Sequence, residues 1–387
     1  MSSENGKGSL AGVLVIELGQ YISGPYAAKL LADLGADVIK IESPEGDPMR
    51  RWEGRARMSP QFAAYNRGKR SVVLDLKDPT DLDRLLRLVD DADVVIDNFR
   101  PGVTDRLGIG ATALAARNPR VITCSITGFG PDGPYAKRPA YDTVISAVGG
   151  MYSQVVPAET VRPMGPAFSD LLSGIQATQS VLAALHARNM TGVGEHIEVS
   201  MVGALVDFLT ESASSFLETG QVSGPDSRPR RAQAYACSGS DGRAFVIHMS
   251  VPEKFWTGLL DVLERPDLAD DPRFATREQR VRNYDELDQV LKQIALTRPR
   301  SEWLERLAAH DIPHGPLNTV ADLFDDPQIR SMALVEPIDG PDGPVNVPTP
   351  STRFHRSGRP ELTYAPDLGE HTASVTQKDA EKEGIKA

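Results

Sequence analysis

The chain has 387 residues and a net charge of −11, from 42 Lys and Arg against 53 Asp and Glu; with 40% hydrophobic and 25% charged residues it is composed like a globular protein of about two domains, which excludes a disordered or collagenous chain. The acidic balance argues against nucleic acid as a partner, and two cysteines, Cys124 and Cys237, leave neither a disulfide framework nor a Cys-rich zinc site. Met1–Gly8 lacks the apolar run of a signal peptide and no stretch approaches the ~20 apolar residues of a membrane span, so the expectation is a cytoplasmic enzyme with no membrane contact.

Val13–Leu18 reads as a buried strand, followed by a glycine turn and a helix over Pro25–Leu34. Strands are expected at Asp37–Ile41, Ser71–Leu76, Val94–Asp97 and Val121–Ile126, with a helix at Pro79–Asp90 that starts on a tolerated proline. Strands alternating with helices predict an α/β first half around a parallel sheet covered on both faces. From Ala140 the pattern turns helical, with Leu171–Arg188 and Gly203–Leu217 flanking a short strand at Ile197–Val199. The Gly-, Pro-, Ser- and Arg-rich Thr219–Arg231 reads as a linker. A smaller unit then shows a strand at Ala244–Met249 and helices near Pro252–Leu263, Tyr284–Leu296 and Arg300–Ala309. Residues beyond about Pro316 look like a return path, with turn signals at Asp339–Gly343 and a polar tail from Asp367.

Two glycine patterns fail on inspection. Gly128–Gly133 has the GxGxxG spacing after a strand, yet Pro131 and Pro134 interrupt the segment where a dinucleotide-binding helix should open. Gly19–Gly24 has P-loop spacing without the Lys and Ser/Thr that grip phosphate and magnesium, but its free N–H groups could still seat an anion or a carbonyl oxygen. No metal constellation is expected. His310 and His314 are four apart with Pro313 between them, which breaks the helix that would pair them. Cys124 lies in an expected buried strand and reads as packing, and no Gly-x-Ser-x-Gly elbow occurs. The informative carboxylate is Asp170, at the start of the long apolar helix. It reads either as the helix N-cap or as a nucleophile whose charge the positive helix end preserves, and residue chemistry alone leaves both open.

Taken in order, the motifs resemble one family. The run from Gly24 to Glu42 (GPYAAKLLADLGADVIKIE) is similar to the N-terminal signature of the family III CoA-transferases, the CaiB/BaiF group that includes formyl-CoA transferase and carnitine CoA-transferase. Asn66–Ser71 with Leu74–Lys77, Asp97–Gly102 with Asp105 and Arg106, Asn118–Val121, Gly128–Gly130, Asp142, Thr191–Gly194, Pro316–Asn318 and Asp326–Gln328 continue the likeness along nearly the whole chain. The resemblance implies a homodimer of two chains interlocked like linked rings. Each chain would carry a Rossmann-like large domain with a parallel sheet, built from both chain ends, and a smaller α+β domain. On this basis residues 1–218 form the first part of the large domain, 219–231 the linker, 232–318 the small domain and 319–387 the segment that completes the large one.

The same resemblance implies CoA transfer from an acyl-CoA to a small carboxylic acid. A CoA thioester is then the substrate, with no permanently bound cofactor and no metal. Asp170 stands where the family has its catalytic aspartate. Ile22, Ser23, Leu74, Lys77, Asn98, Phe99, Arg100 and Arg106 match CoA-contacting positions, and Tyr141 would bond to CoA or line its channel. These residue types suit the ligand, since Lys and Arg can hold phosphates and Phe99 can lie against adenine. Formyl-CoA transferase carries a run of several glycines over its site; Cys237–Gly242 here has only two, so that enzyme's substrates are not assumed. Two other readings share the scaffold: a non-catalytic acyl-CoA-binding protein, and a racemase acting at the carbon α to the thioester. The racemase has a histidine where Tyr141 stands, and an unperturbed tyrosine is ionised to only about one part in a thousand at pH 7, which makes it a poor base.

Overall fold

A computed structural model describes residues 7–54, 58–160, 162–250 and 253–376. Pro252, most of Met1–Gly8 and the polar tail beyond Thr376 lie outside them. The chain forms two compact units: Met1–Tyr152, Arg162–Ser214 and Ala333–Ala387 make the first, and Ser153–Val161 with Ser215–Met332 the second.

The first unit is built on six parallel strands. They are β1 (Leu14–Glu17), β2 (Asp37–Glu42), β3 (Lys69–Val73), β4 (Val94–Asp97), β5 (Ile122–Thr127) and β6 (His196–Ser200), in the order β3-β2-β1-β4-β5-β6. Central β1 pairs Ile16 with Ile39 on one side and with Val95 on the other. β-Branched runs suit such a doubly covered sheet. The third strand begins earlier than expected and stops before Leu74. Its charged start, Lys69, is buried through ion pairing. Asp75 closes it with a turn in which its carboxylate accepts the Lys77 N–H at 3.0 Å.

Helices cover both faces. Ser23–Asp33 follows β1 and buries Ala27, Ala28 and Leu31. The long helix Phe168–Thr191 starts three residues before Leu171 and crosses it on small residues, Ser173, Gly174, Ala177 and Thr178. A Cβ on Gly174 would meet Tyr26 Cδ1 at 2.9 Å and the Ser23 carbonyl oxygen at 3.1 Å, so glycine permits this approach. The helix expected over Gly203–Leu217 is two helices, Met201–Phe208 and Thr210–Thr219. Near the break the Thr210 hydroxyl donates to the Asp207 carbonyl, competing with the backbone for that acceptor.

The second unit holds a three-stranded antiparallel sheet, β7 (Ala234–Ser238), β8 (Ala244–His248) and β9 (His314–Pro316), in that order. Its core gathers Tyr235, Phe245, Trp256, Leu259, Leu287 and Trp303. The segment read as a linker contains a helix, Ser227–Ala232, whose Pro229 falls in the first turn where its missing N–H breaks no bond. The return to the first unit comes at Ala333, after two short helices, Val320–Asp325 and Pro327–Ser331, capped by Thr319 and Asp326. There a hairpin of β10 (Val335–Gly340) and β11 (Gly343–Pro348) forms about the expected turn. The chain end then covers the outer edge of β3: Gly369 N–H donates to Ser71 Oγ and Thr372 Oγ1 accepts from Val73 N–H.

Candidate active site

Order β3-β2-β1-β4-β5-β6 reverses direction between β1 and β4, and sheets of this kind open a ligand crevice at the carboxyl ends of the strands at that reversal. A cleft of about 240 Å³ lies there, lined by Gln20, Tyr21 and Ser23 after β1, Asn98–Pro101 after β4, Ile126 and Thr127 at the end of β5 with Gly128 and Phe129 after it, and Arg138, Tyr141 and Asp170.

Asn98 clasps the turn after β1. Its Oδ1 accepts the Gln20 N–H at 2.9 Å, and its Nδ2 donates to the Gln20 carbonyl at 2.8 Å and to Ser23 Oγ at 3.0 Å. Tyr21 adopts φ 63°, a left-handed conformation uncommon for a bulky residue, and its ring meets Tyr141 edge-on at 5.9 Å. Tyr141 is 61% exposed. Arg138 stacks on the Tyr135 ring at 3.6 Å.

Asp170 is the third residue of its helix, and Ala167 occupies the cap position without a side-chain bond. The N-cap alternative is thereby corrected. Capping is done across 27 residues by Asp142, the first residue of helix Asp142–Val148. Its Oδ1 accepts from Ser169 N–H and from Ser169 Oγ, each at 2.8 Å, and from Asp170 N–H at 3.4 Å. The expectation that the helix end keeps Asp170 charged is corrected too. Burial, reinforced by the neighbouring Asp142 carboxylate, pushes its pKa up to about 7, against a smaller lowering by a hydrogen bond from Ser23. An isolated carboxylate near a helix N-terminus stays ionised because the dipole and free N–H groups favour it. Here Asp142 has taken those N–H groups and added a like charge.

The cleft brings together Ser23, Asn98, Phe99, Arg100, Tyr141 and Asp170 among the residues singled out from sequence. Ile22 stands one residue earlier, at the cap of helix Ser23–Asp33. Leu74 packs into the sheet core, while Lys77 and Arg106 are exposed and do not line the cleft. Arg138 and Asp142 were missed as site residues, and Gln20 and Tyr21 were named only as part of the Gly19–Gly24 turn. The carboxylate directly after Tyr141 and ahead of a helical run was the one available signal for Asp142. Cys124 is buried and burial pushes its thiol up to about 12, which fits packing and leaves no thiolate for chemistry. Among the described residues no group of three or more His, Cys, Asp or Glu is placed to hold a metal, and no helix is long and apolar enough to cross a membrane.

A Rossmann-ordered sheet with a carboxylate, a serine and arginines at its reversal offers an α/β cleft suited to a small molecule, and comparison with known proteins gives the class. The model of CoA-transferase family III matches residues 10–372. The chain belongs to that family, the CaiB/BaiF family, and is an enzyme of it; the family uses CoA thioesters. It is 37% identical over 365 residues to an acetyl-CoA:oxalate CoA-transferase of Acetobacter aceti, covering 92% of this chain and 93% of that protein. It is 31% identical over 382 residues to the succinyl-CoA:glutarate CoA-transferase of Homo sapiens, covering 95% of this chain and 85% of that protein. A crystal structure of a CaiB/BaiF family protein from Brucella suis superposes with a TM-score of 0.86 at 36% identity, covering 96% of this chain and all of that one.

Proposed function

We propose that the protein moves CoA from an acyl-CoA to a free carboxylic acid, with Asp170 as the nucleophile. The observation that carries this reading is an Asp170 carboxylate in the cleft whose helix N–H groups are already satisfied by Asp142, so that its oxygens are not committed to capping.

Asp170 attacks the thioester carbonyl carbon, the C–S bond breaks, CoA leaves as thiolate and a mixed anhydride remains. The thiolate then attacks the aspartyl carbonyl carbon, the anhydride C–O bond breaks, and the first acid departs as carboxylate, leaving an aspartyl–CoA thioester. An incoming carboxylate reverses both steps. Covalent catalysis divides the exchange while conserving the thioester. Ser23 and Gly24, the first residues of their helix, have no helix carbonyl four residues back for their N–H groups, which suits them to a developing oxyanion. Arg100 and Arg138 line the cleft and suit phosphate or carboxylate; Phe99 suits adenine. Oxalate and glutarate in the names of the relatives favour a short dicarboxylate as acceptor. Lys77, Arg106, Ile22 and Leu74 stay in the proposal as CoA contacts by resemblance alone, as does the linked-ring dimer.

The test is a screen of acyl-CoA donors, including a 2-methylacyl-CoA, against free acids in D₂O. Wild type should form new thioesters without deuterium at the α-carbon, and Asp170→Ala should bind CoA but transfer nothing. Near wild-type turnover by Asp170→Ala would remove Asp170 as the nucleophile, and a wild type that binds CoA but forms no new thioester would favour a binding role. Deuterium uptake without acyl exchange would establish the racemase.

A further inference from the structure

Behind the turn after β1 lies a cluster of charges almost sealed from water. Glu17 and Lys40 are fully buried, and Asp47 and Lys69 nearly so. The Lys40 ammonium donates to Glu17 Oε1 at 3.2 Å, contacts Asp47 Oδ2 at 3.1 Å and donates to the Gly19 carbonyl at 2.8 Å. Lys69 donates to Glu17 Oε2 at 3.2 Å, to the Pro25 carbonyl at 2.8 Å and to Asn66 Oδ1 at 2.8 Å. Two carboxylates meet two ammonium groups, so the formal charges cancel. Ion pairs of this kind do little for stability, because desolvation offsets their attraction and apolar residues of similar volume commonly serve as well. Their geometry, however, fixes the turn. Asp47 accepts the Tyr21 N–H, at 3.2 Å to Oδ2 and 3.3 Å to Oδ1, while Lys40 holds the carbonyl two residues earlier. Asn98 holds the intervening Gln20 from the other side. Tyr21 is the left-handed residue between these anchors, and Ser23, the residue that bonds to Asp170, follows two positions on.

We propose that Asp47 and Lys40 are positioning residues for the transfer reaction: held in the buried cluster, the Asp47 carboxyl on the Tyr21 N–H and the Lys40 ammonium on the Gly19 carbonyl lock the Gly19–Tyr21 turn with Tyr21 left-handed, so that Ser23 and the start of its helix meet Asp170 in fixed register. This rests on the CoA-transfer reading. Neither residue lines the cleft; both act through the Tyr21 and Gly19 peptides.

The comparison of Asp47→Asn with Asp47→Ala separates positioning from plain structural support. Both variants deprive Lys40 of a counter-charge and should melt earlier, Asp47→Ala more so because it also leaves the Tyr21 and Met49 N–H groups without an acceptor. Only Asn keeps an oxygen to accept the Tyr21 N–H. Asp47→Asn should hold kcat within about threefold of wild type, and Asp47→Ala should lose on the order of a hundredfold, as small displacements of reacting groups do. KM for the acyl-CoA should rise by less than kcat falls in Asp47→Ala, since Tyr21 lines the cleft while Phe99 and Arg100 stand on a separate segment. A crystal structure of Asp47→Ala should show Tyr21 released from positive φ. If Asp47→Ala fails to fold, Asp47→Ser, too short to reach the Tyr21 N–H, takes its place. Equal kcat losses in Asn and Ala, or no loss in either, would overturn the inference. Wild-type turnover in the same assay keeps the two levels apart: an inactive wild type overturns the transfer reading and this inference with it, whereas an active wild type without the Asn–Ala contrast overturns this inference alone.

Discussion

Asp170 combines two opposing demands: a nucleophile must be ionised, yet its surroundings resist the charge. Burial is the larger cause and the Asp142 carboxylate the second, together lifting the pKa to about 7. Because the folded pKa lies above the unfolded one, this group's contribution to stability is full below about pH 4 and is lost as pH rises through about 7. Activity runs the other way. kcat/KM for the acyl-CoA should climb with pH to a plateau, with its midpoint at about 7. Asp142→Asn keeps an oxygen for the Ser169 N–H but removes the like charge, so its midpoint should move to lower pH while burial still holds it above an ordinary carboxylate. Identical profiles for the two enzymes would show that Asp142 does not tune Asp170. Sequence reasoning reached Asp170 through the ordered motif blocks, since spacing alone left cap and nucleophile undecided. Asp142 was hidden because a helix cap supplied from 27 residues upstream leaves no local signature, and Tyr21 because nothing in Gly-Gln-Tyr-Ile marks which residue takes positive φ.

At the level of elements, the site depends on how closely Phe168–Thr191 crosses Ser23–Asp33. Gly174 sets that distance, and the Thr178 hydroxyl adds a bond to the Ala27 carbonyl at 3.3 Å. In Gly174→Ala the new methyl must push against Tyr26 and the Ser23 carbonyl, parting the helices that carry Ser23 and Asp170. Overpacking costs about 1–3 kcal/mol, against about 1 kcal/mol returned by alanine's better helix propensity. We expect a modest fall in melting temperature and a loss of turnover of about tenfold or more, the second effect outweighing the first. Unchanged steady-state turnover would mean that the crossing has slack. The strands were legible where apolar runs are uninterrupted: Val94–Asp97 lies where the sequence reading put it, and β1 and β2 differ by a residue or so at their ends. β3 shifted because its first residues are Lys69 and Arg70, which a hydrophobicity pattern reads as loop and only the buried pairing with Glu17 explains.

Across the whole molecule, three helices of the first unit leave large apolar side chains in water. Val144 and Val148, Ile175 and Leu182, and Val206 and Phe208 are all more than a third exposed. Fully burying an exposed side chain of this size is worth about 1.5–3 kcal/mol, so covering what is exposed of these would contribute roughly half of that each. In the proposed dimer such side chains would be candidates for the contact between subunits. Light scattering should give twice the chain mass down to the lowest concentration that retains activity, and a folded, active monomer would contradict the linked-ring arrangement. The sequence reading put the return to the large domain at residue 319, and the first unit resumes at Ala333. Ser153–Val161 belongs to the second unit, and its link to the later chain, a pair of hydrogen bonds between Gln154 and Ser223, spans 69 residues and leaves no local signature in the sequence.

The central claim is that CoA passes through Asp170. It is tested most directly by mixing the enzyme with an acyl-CoA in the absence of acceptor acid, quenching within one turnover and mapping the peptides by mass spectrometry. The account predicts a CoA adduct on the peptide that contains Asp170, discharged when a carboxylic acid is added and absent from Asp170→Ala. An enzyme that forms product thioester while that peptide stays unmodified throughout would contradict it.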